Sequence, residues 1–320
     1  MRAAVVGNGT VTVREVPDPA PRPGELLVRV TSAGINAADL LQRAGLYPAP
    51  AGSPTDIPGL EFAGEVVATG GGWSAYKLGD RVMAVVGGGG QAELAVVHES
   101  HALLVPKRFD LEVAGGFPEA FSTAHDALVT QARMTSSDRV LITGAAGGVG
   151  TAAIQVAAAL GGTVVASARD ESKHPALVDL GADMTITPDQ TADAGPFDVV
   201  LELVGGASLA ETQRSLARFA RVAVIGVGGG GARVDLDLLG VMQRRITLTG
   251  STLRSRSVEE KAQVAASVRR GLLPLLGSGA IRVPVQSVVP LDDVSAAYDE
   301  FAAGGKFGKF ILNVSEGTAS

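Results

Sequence analysis

Two rhythms of apolar and polar positions divide the chain. Over about the first 105 residues, side-chain character alternates with period two in short runs, at 10–16, 26–31, 65–69, 81–86 and 92–97. Pro17-Asp18-Pro19, Pro23-Gly24 and the glycines 87–90 separate these runs. Alternation sends successive side chains to opposite faces of a sheet, and proline and glycine clusters end strands, so this stretch predicts a compact all-β unit. From residue 140 the apolar runs become continuous. Strands are predicted at 140–143, 163–167, 198–203, 221–227 and 246–250, with helices running to about Leu160, at 173–180 and near 208–217. Strands apolar on both faces belong to a parallel sheet covered by helices, which makes the fold class α/β with a doubly wound sheet. An amphipathic helix is predicted at 258–273, and 283–289, 294–303 and 310–314 return to short mixed elements. The expected division is a discontinuous β-rich domain, 1–120 and 270–320, around an inserted α/β domain, 121–269.

Residues 140–168 carry no charge, a run long enough to cross a bilayer. Its six glycines, with Thr143, Thr151 and Gln155, parse instead as strand, turn, helix and strand. The start of the chain lacks a long apolar leader, so a soluble, cytoplasmic protein without a membrane partner is expected. Composition narrows the chemistry further. The 320 residues include no cysteine, which excludes disulfides, thiolate nucleophiles and zinc sites built on cysteine. A net charge of −6 and 4% aromatic residues argue against nucleic-acid binding, which wants a basic face and stacking rings.

Gly144-Ala145-Ala146-Gly147-Gly148-Val149-Gly150 follows an apolar strand and opens an alanine-rich helix. Residues without a Cβ let the backbone approach a pyrophosphate, and a helix start offers unpaired N–H groups at its positive end. In this strand–turn–helix context the pattern predicts a dinucleotide site, with Ala146, Gly147, Gly148 and Val149 in contact. The end of the next strand bears on which dinucleotide. An acid there would bind the ribose diol of NAD. Here it reads Ser167-Ala168-Arg169, with Lys173 four residues on. A hydroxyl, a guanidinium and an ammonium suit a 2′-phosphate, so the expected cofactor is NADPH. Asp170 is placed just past the strand, facing solvent or pairing with Lys173.

Taken with the β-rich start, these residues resemble the medium-chain dehydrogenase/reductase superfamily, in particular its zinc-independent quinone oxidoreductases of the zeta-crystallin type. The matching stretches are Gly34-Ile35-Asn36-Ala37-Ala38-Asp39, Arg43-Ala44-Gly45-Leu46-Tyr47, Pro58-Gly59-Leu60-Glu61-Phe62-Ala63-Gly64 and Gly79-Asp80-Arg81-Val82. The glycine turn, Leu203-Val204-Gly205-Gly206, Gly250-Ser251-Thr252-Leu253-Arg254 and Gly308-Lys309 continue the series. The resemblance implies a GroES-like substrate domain, a Rossmann domain binding NADPH, a small-molecule quinone or enone substrate and a homodimer. It also implies that Asn36 and Thr123 lie beside the cofactor and that Val204, Gly226, Val227, Gly228 and Leu253 wall the nicotinamide. Zinc members of the superfamily place ligands where this chain has Asn36 and Leu60, with Glu119 near the third position. An amide, a leucine and one carboxylate will not hold a catalytic zinc.

Asn36 and Tyr47 are the candidate catalytic residues. In related enoyl reductases a tyrosine at this spacing donates a proton, and a phenol near pKa 10 suits an enolate. Tyr47 serves equally as an aromatic lid. Asn36 and Asp39 are spaced as the N-cap and N3 of a short helix, and Asp39 is expected to pair with Arg43 one turn on. Glu61 is expected to be buried against an arginine, His125 to be a packing variant, and His98, His101 and His174 to be solvated. Three functions stay open: quinone reduction by direct hydride transfer, enoyl or alkenal reduction through Tyr47, and NADPH binding without catalysis in a sensor or structural protein.

Overall fold

The early chain forms β1 (Arg2–Gly7), β2 (Thr10–Glu15), β3 (Glu25–Ile35), β4 (Glu61–Thr69), β5 (Arg81–Val85), β6 (Leu94–His98) and β7 (Leu103–Leu104). In β3, Leu26, Val28 and Val30 are buried while Arg29 is exposed, as period-two alternation requires. The structure, a computed structural model, describes residues 1–315. The middle of the chain supplies β8 (Arg139–Ile142), β9 (Thr163–Ser167), β10 (Met184–Ile186), β11 (Phe197–Glu202), β12 (Leu216–Val224) and β13 (Thr247–Gly250). The late chain adds β14 (Val285–Pro290) and β15 (Lys309–Asn313).

Two compact units result. One joins Met1–Ser122 to the chain from Leu253, and the other is Thr123–Thr252. The β-rich unit contains the sheet β14-β15-β3-β4-β5-β7, with β6 also on β3, and a β1–β2 hairpin. Its core gathers Leu26, Val28, Phe62, Val82, Tyr298 and Phe310. The buried Tyr298 hydroxyl donates to Gln91 Oε1 at 2.7 Å, so the ring brings no unsatisfied polar atom inside.

The second unit is a parallel sheet of order β10-β9-β8-β11-β12-β13. The chain leaves β8 toward β9 on one side and returns to β11 on the other, which puts the topological switch at the carboxyl end of β8. Leu141, Val165, Val200 and Val222 line its core with Phe197 and Leu209. β11 is buried over nearly its whole length, and such runs carry no alternation because helices cover both faces.

The second break in the β-rich unit lies at Leu253, not at 270. Residues 253–269, expected in the inserted domain, pack on the flanking one. The helix Val258–Gly271 is tied there by His101 Nε2 against the Val258 carbonyl at 2.9 Å and by Arg269 donating to the Ala102 carbonyl at 2.9 Å. His101 is therefore buried, against the expectation of a solvated ring. The helix Leu238–Arg244, which the apolar pattern did not predict, exposes Leu238, Leu239 and Met242. Among the described residues no helix is long and apolar enough to cross a membrane.

Candidate functional site

In the parallel-sheet unit the Gly144–Gly150 turn sits at the switch point. Gly144 takes φ +58, and a Cβ at Gly150 would fall 2.6 Å from the Ala145 backbone, so the turn closes tightly on the helix Gly148–Ala159. Gly147 caps this helix without a side-chain bond, which leaves the first-turn N–H groups of Gly148, Val149 and Gly150 without intrahelical acceptors. Ala146, Gly147, Gly148 and Val149 keep part of their surface open. Backbone donors at a positive helix end, reachable from outside, fit a pyrophosphate.

β9 ends beside this turn, with the Ser167 carbonyl accepting from Ala145 N–H at 3.0 Å. Ser167 is buried, while Arg169 and Asp170 are exposed. Asp170 accepts from the Ser172 hydroxyl at 2.6 Å, lies 3.2 Å from Lys173 Nζ and accepts from Ser172 N–H at 3.1 Å, and these contacts, the hydroxyl first, hold its carboxyl below the usual range. The acid thus points its charge into a local cap.

Val204 and Gly226 follow the ends of β11 and β12. A Cβ at Gly226 would fall 2.5 Å from the Leu203 carbonyl, so the two loops touch through backbone. Glu202, which the sequence did not single out, organises them. Its Oε1 accepts from Val204 N–H at 2.7 Å, Gly205 N–H at 2.8 Å and the Thr143 hydroxyl at 3.0 Å, and its Oε2 from the Ser208 hydroxyl at 2.9 Å. Val227 and Gly228 lie open to solvent, and Thr123 is buried at the start of the unit. Leu253 belongs to the β-rich unit, where it lines a small cavity with Val85, His101, Leu103, Ser122 and Lys261.

The β-rich unit holds a separate polar centre. β3 lies between β4 and β15, so the first residues of those two strands, Glu61 and Lys309, converge on Asn36 just past the end of β3. Lys309 Nζ donates to Glu61 Oε1 at 2.5 Å and to Asn36 Oδ1 at 2.7 Å, and Asn36 Nδ2 donates to Glu61 Oε1 at 3.0 Å. Gly34 makes room, because a Cβ there would collide with Glu61 Oε1. Glu61 is fully buried, and its partner is this lysine in place of the expected arginine. Asn36 is the N-cap of the helix Ala37–Arg43 and forms a capping box with Asp39, while its amide also meets Lys309 and Glu61. Asp39 supplies the other half of the box, accepting from Asn36 N–H at 2.8 Å and from Gly59 N–H at 3.1 Å. The expected Asp39–Arg43 pair is absent, since Arg43 reaches Asp299 at 2.8 Å and Asp39 is buried, which pushes its pKa up to about 6.

Glu119 borders this centre on the helix Pro118–His125. Its N–H donates to Glu61 Oε2 at 2.7 Å, and burial, followed by the Glu61 charge, pushes its carboxyl up to about 8. Tyr47 stands across a stacked guanidinium: Arg254 lies 4.8 Å from the ring centroid and donates to the Tyr47 carbonyl at 2.9 Å, the Gly87 carbonyl at 2.8 Å and Gln42 Oε1 at 2.5 Å. Burial raises the phenol above its ordinary pKa. Among the described residues no group of three or more His, Asp or Glu is placed to hold a metal ion.

Sequence comparison agrees with this architecture. The family model of the alcohol dehydrogenase GroES-like domain matches residues 22–107, and that of zinc-binding dehydrogenases matches residues 148–268. Quinone oxidoreductase-like protein 2 of Bos taurus is 30% identical over 315 residues, covering 95% of this chain and 89% of its own. Quinone oxidoreductase of Lama guanicoe is 29% identical over 309 residues, covering 93% and 91%. A thermostable alcohol dehydrogenase from Pyrobaculum aerophilum superposes with a TM-score of 0.85 at 32% identity, covering 98% of this chain and 99% of that one. With a glycine turn at the switch of a parallel sheet and a GroES-like unit on either side of it in sequence, the chain belongs to the medium-chain dehydrogenase/reductase family.

Proposed function

We propose that the protein is an NADPH-dependent quinone oxidoreductase that works without zinc. The observation that carries this reading is the Gly144–Gly150 turn, whose open backbone donors at the switch point suit a dinucleotide pyrophosphate. When bound there, the reduced nicotinamide supplies a hydride. Ala146, Gly147, Gly148 and Val149 would hold the pyrophosphate, Ser167, Arg169 and Lys173 the 2′-phosphate, and Thr123, Val204, Gly226, Val227 and Gly228 the nicotinamide end. Asn36 and Leu253 complete the set from the β-rich unit.

The residues present do not fit the zinc that one matching family name carries. Where ligands would be needed the chain offers an amide, a leucine and a glutamate, and the Lys309 ammonium sits between Asn36 Oδ1 and Glu61. An ammonium already bonded to both partners holds a positive charge where a second cation would have to sit, and an amide and a leucine do not supply the ligands zinc takes. An acceptor that needs little polarisation, such as a quinone, matches that arrangement. Leu238, Leu239 and Met242, with Leu248 on the edge strand β13, give the parallel-sheet unit an apolar flank that supports a homodimer.

A second reading, enoyl or alkenal reduction, is favoured by the Tyr47 ring held over Arg254. Following NADPH oxidation with a panel of quinones and enones separates the two. The quinone reading predicts higher kcat/KM on quinones, with Tyr47→Phe changing that rate little. Under the second reading Tyr47→Phe lowers the enone rate by about a hundredfold, the share of a positioned acid. Equal efficiency with NADH and NADPH would overturn the cofactor assignment, and NADPH binding without turnover of any acceptor would overturn the enzymatic reading.

A further inference from the structure

A bulky residue that keeps a strained backbone at the surface, where the fold gains nothing from it, points to a use outside the fold. Phe219 is such a residue. β12 opens with an irregularity: Phe197 pairs with Leu216 and Val199 with Arg221, so two steps along β11 match five along β12. The surplus forms a bulge whose flanks, Leu216 and Ala220, are buried in the core of the parallel-sheet unit. Within the bulge Phe219 takes φ +67, the left-handed region that a large side chain rarely adopts. Its ring is 53% exposed, so burial does little to offset that strain.

Two guanidiniums stand against this ring. Arg218 lies 5.1 Å and Arg245 5.4 Å from its centroid. Arg245 is the left-handed cap of the helix Leu238–Arg244. Both side chains are exposed, and among the described residues neither forms a hydrogen bond or an ion pair. The neighbouring arginines are committed. Arg221 pairs with Asp138 at 2.5 Å and donates to the Arg133 carbonyl at 3.0 Å, and Arg244 donates to the Leu216 carbonyl at 3.1 Å. Arg244 thereby ties the end of its helix to the start of the bulge. Two uncommitted like charges beside one exposed ring repel each other, and an anion placed beside both relieves that repulsion.

We propose that Arg218, Phe219 and Arg245 form a docking patch for an acidic polypeptide segment that carries an apolar side chain between its carboxylates. The patch is positive on a chain of net charge −6, so an acidic partner is drawn to this spot and repelled by the surface as a whole. The ring offers apolar area and the guanidiniums offer planar donors to carboxylates; aromatic residues and arginine supply much of the energy at protein interfaces. A nucleic acid fits less well, because a long polyanion reaches past two arginines into the field of a negative protein. The patch lies at the amino end of β12, and the glycine turn follows the carboxyl end of β8 in the same parallel sheet. The two therefore sit at opposite ends of the sheet, and the docking patch stands or falls independently of the proposed reaction.

Calorimetric titration of the full chain at low salt tests the proposal, with an acetylated and amidated peptide in which a leucine is flanked on each side by paired glutamates. Binding is expected, and it should weaken as salt rises. Phe219→Gly, and separately Arg218→Gln combined with Arg245→Gln, should each weaken it by about tenfold. The urea midpoint of Phe219→Gly should meanwhile hold or rise, because glycine adopts the left-handed region without strain. Phe219→Asn, which tolerates the same region without the added chain freedom of glycine, should behave alike. No heat of binding from the unsubstituted protein, or equal affinity in all the variants, overturns the proposal. A lower midpoint in both Phe219 variants also overturns it, since the ring would then serve the fold. Tighter binding of a single-stranded oligonucleotide of equal charge, or a changed oligomeric mass in the Phe219 variants, overturns the assigned partner in favour of nucleic acid or a second copy.

Discussion

Around the Gly144–Gly150 turn the polar groups are backbone N–H donors, and the buried carboxylate nearby, Glu202, is filled by donors no more than three residues away and by Thr143 and Ser208. Around Asn36 the polar groups are charged side chains drawn from far apart in the chain. Lys309 meets Glu61 across 248 positions and Asn36 across 273. The first region is built to receive a negative group with the fixed dipoles of its own main chain, and needs space more than charge. The second carries its own charges in low dielectric, where each must be answered or it costs the fold several kcal/mol.

The contrast fails most visibly if Lys309 is replaceable. Lys309→Met leaves the fully buried Glu61 without its cation and should cost about 3–5 kcal/mol in urea unfolding, with much of that recovered when Glu61→Gln is added. If the single substitution is neutral, the polar centre is not held by charge. Gly150→Ala is the counterpart in the glycine turn. Its Cβ, 2.6 Å from backbone that has nowhere to go, should cost about 1–3 kcal/mol and weaken dinucleotide binding measured by nicotinamide fluorescence. Arg169→Ala with Lys173→Ala should spare stability and raise the NADPH KM by about tenfold to a hundredfold, about 1.4–2.7 kcal/mol for the pair together, because Arg169 is exposed and solvent screens its contact. Lys173 already shares its charge with Asp170, so the lower end of that range is expected.

The same contrast explains what the amino-acid order disclosed. The parallel sheet was legible because its strands are continuous apolar runs and its turn is a local glycine spacing; β9 falls at Thr163–Ser167, as the pattern placed it. Short or exposed elements were not. β10 spans only Met184–Ile186, and the helix Leu238–Arg244 shows its leucines to solvent, so neither carries a buried-face period. In the site, Asn36 and Tyr47 stood out through resemblance, but the partner of Glu61 did not, because nothing near it in sequence marks Lys309. Asp39 misled for a related reason. Its spacing to Arg43 fits a surface pair, yet the helix Ala37–Arg43 turns that face inward toward Gly59. Glu202 carried a faint signal, an acid closing a wholly apolar strand, which burial makes costly unless local donors are waiting.

The placement of β15 next to β3 has a consequence for synthesis. Residues 123–252 are contiguous and can fold as soon as they emerge, whereas the flanking unit keeps an unanswered glutamate inside its half-built sheet until residue 309 has left the ribosome. During that interval the nascent protein exposes an open edge of β3, and chaperone occupancy should rise over the stretch of translation between those two points.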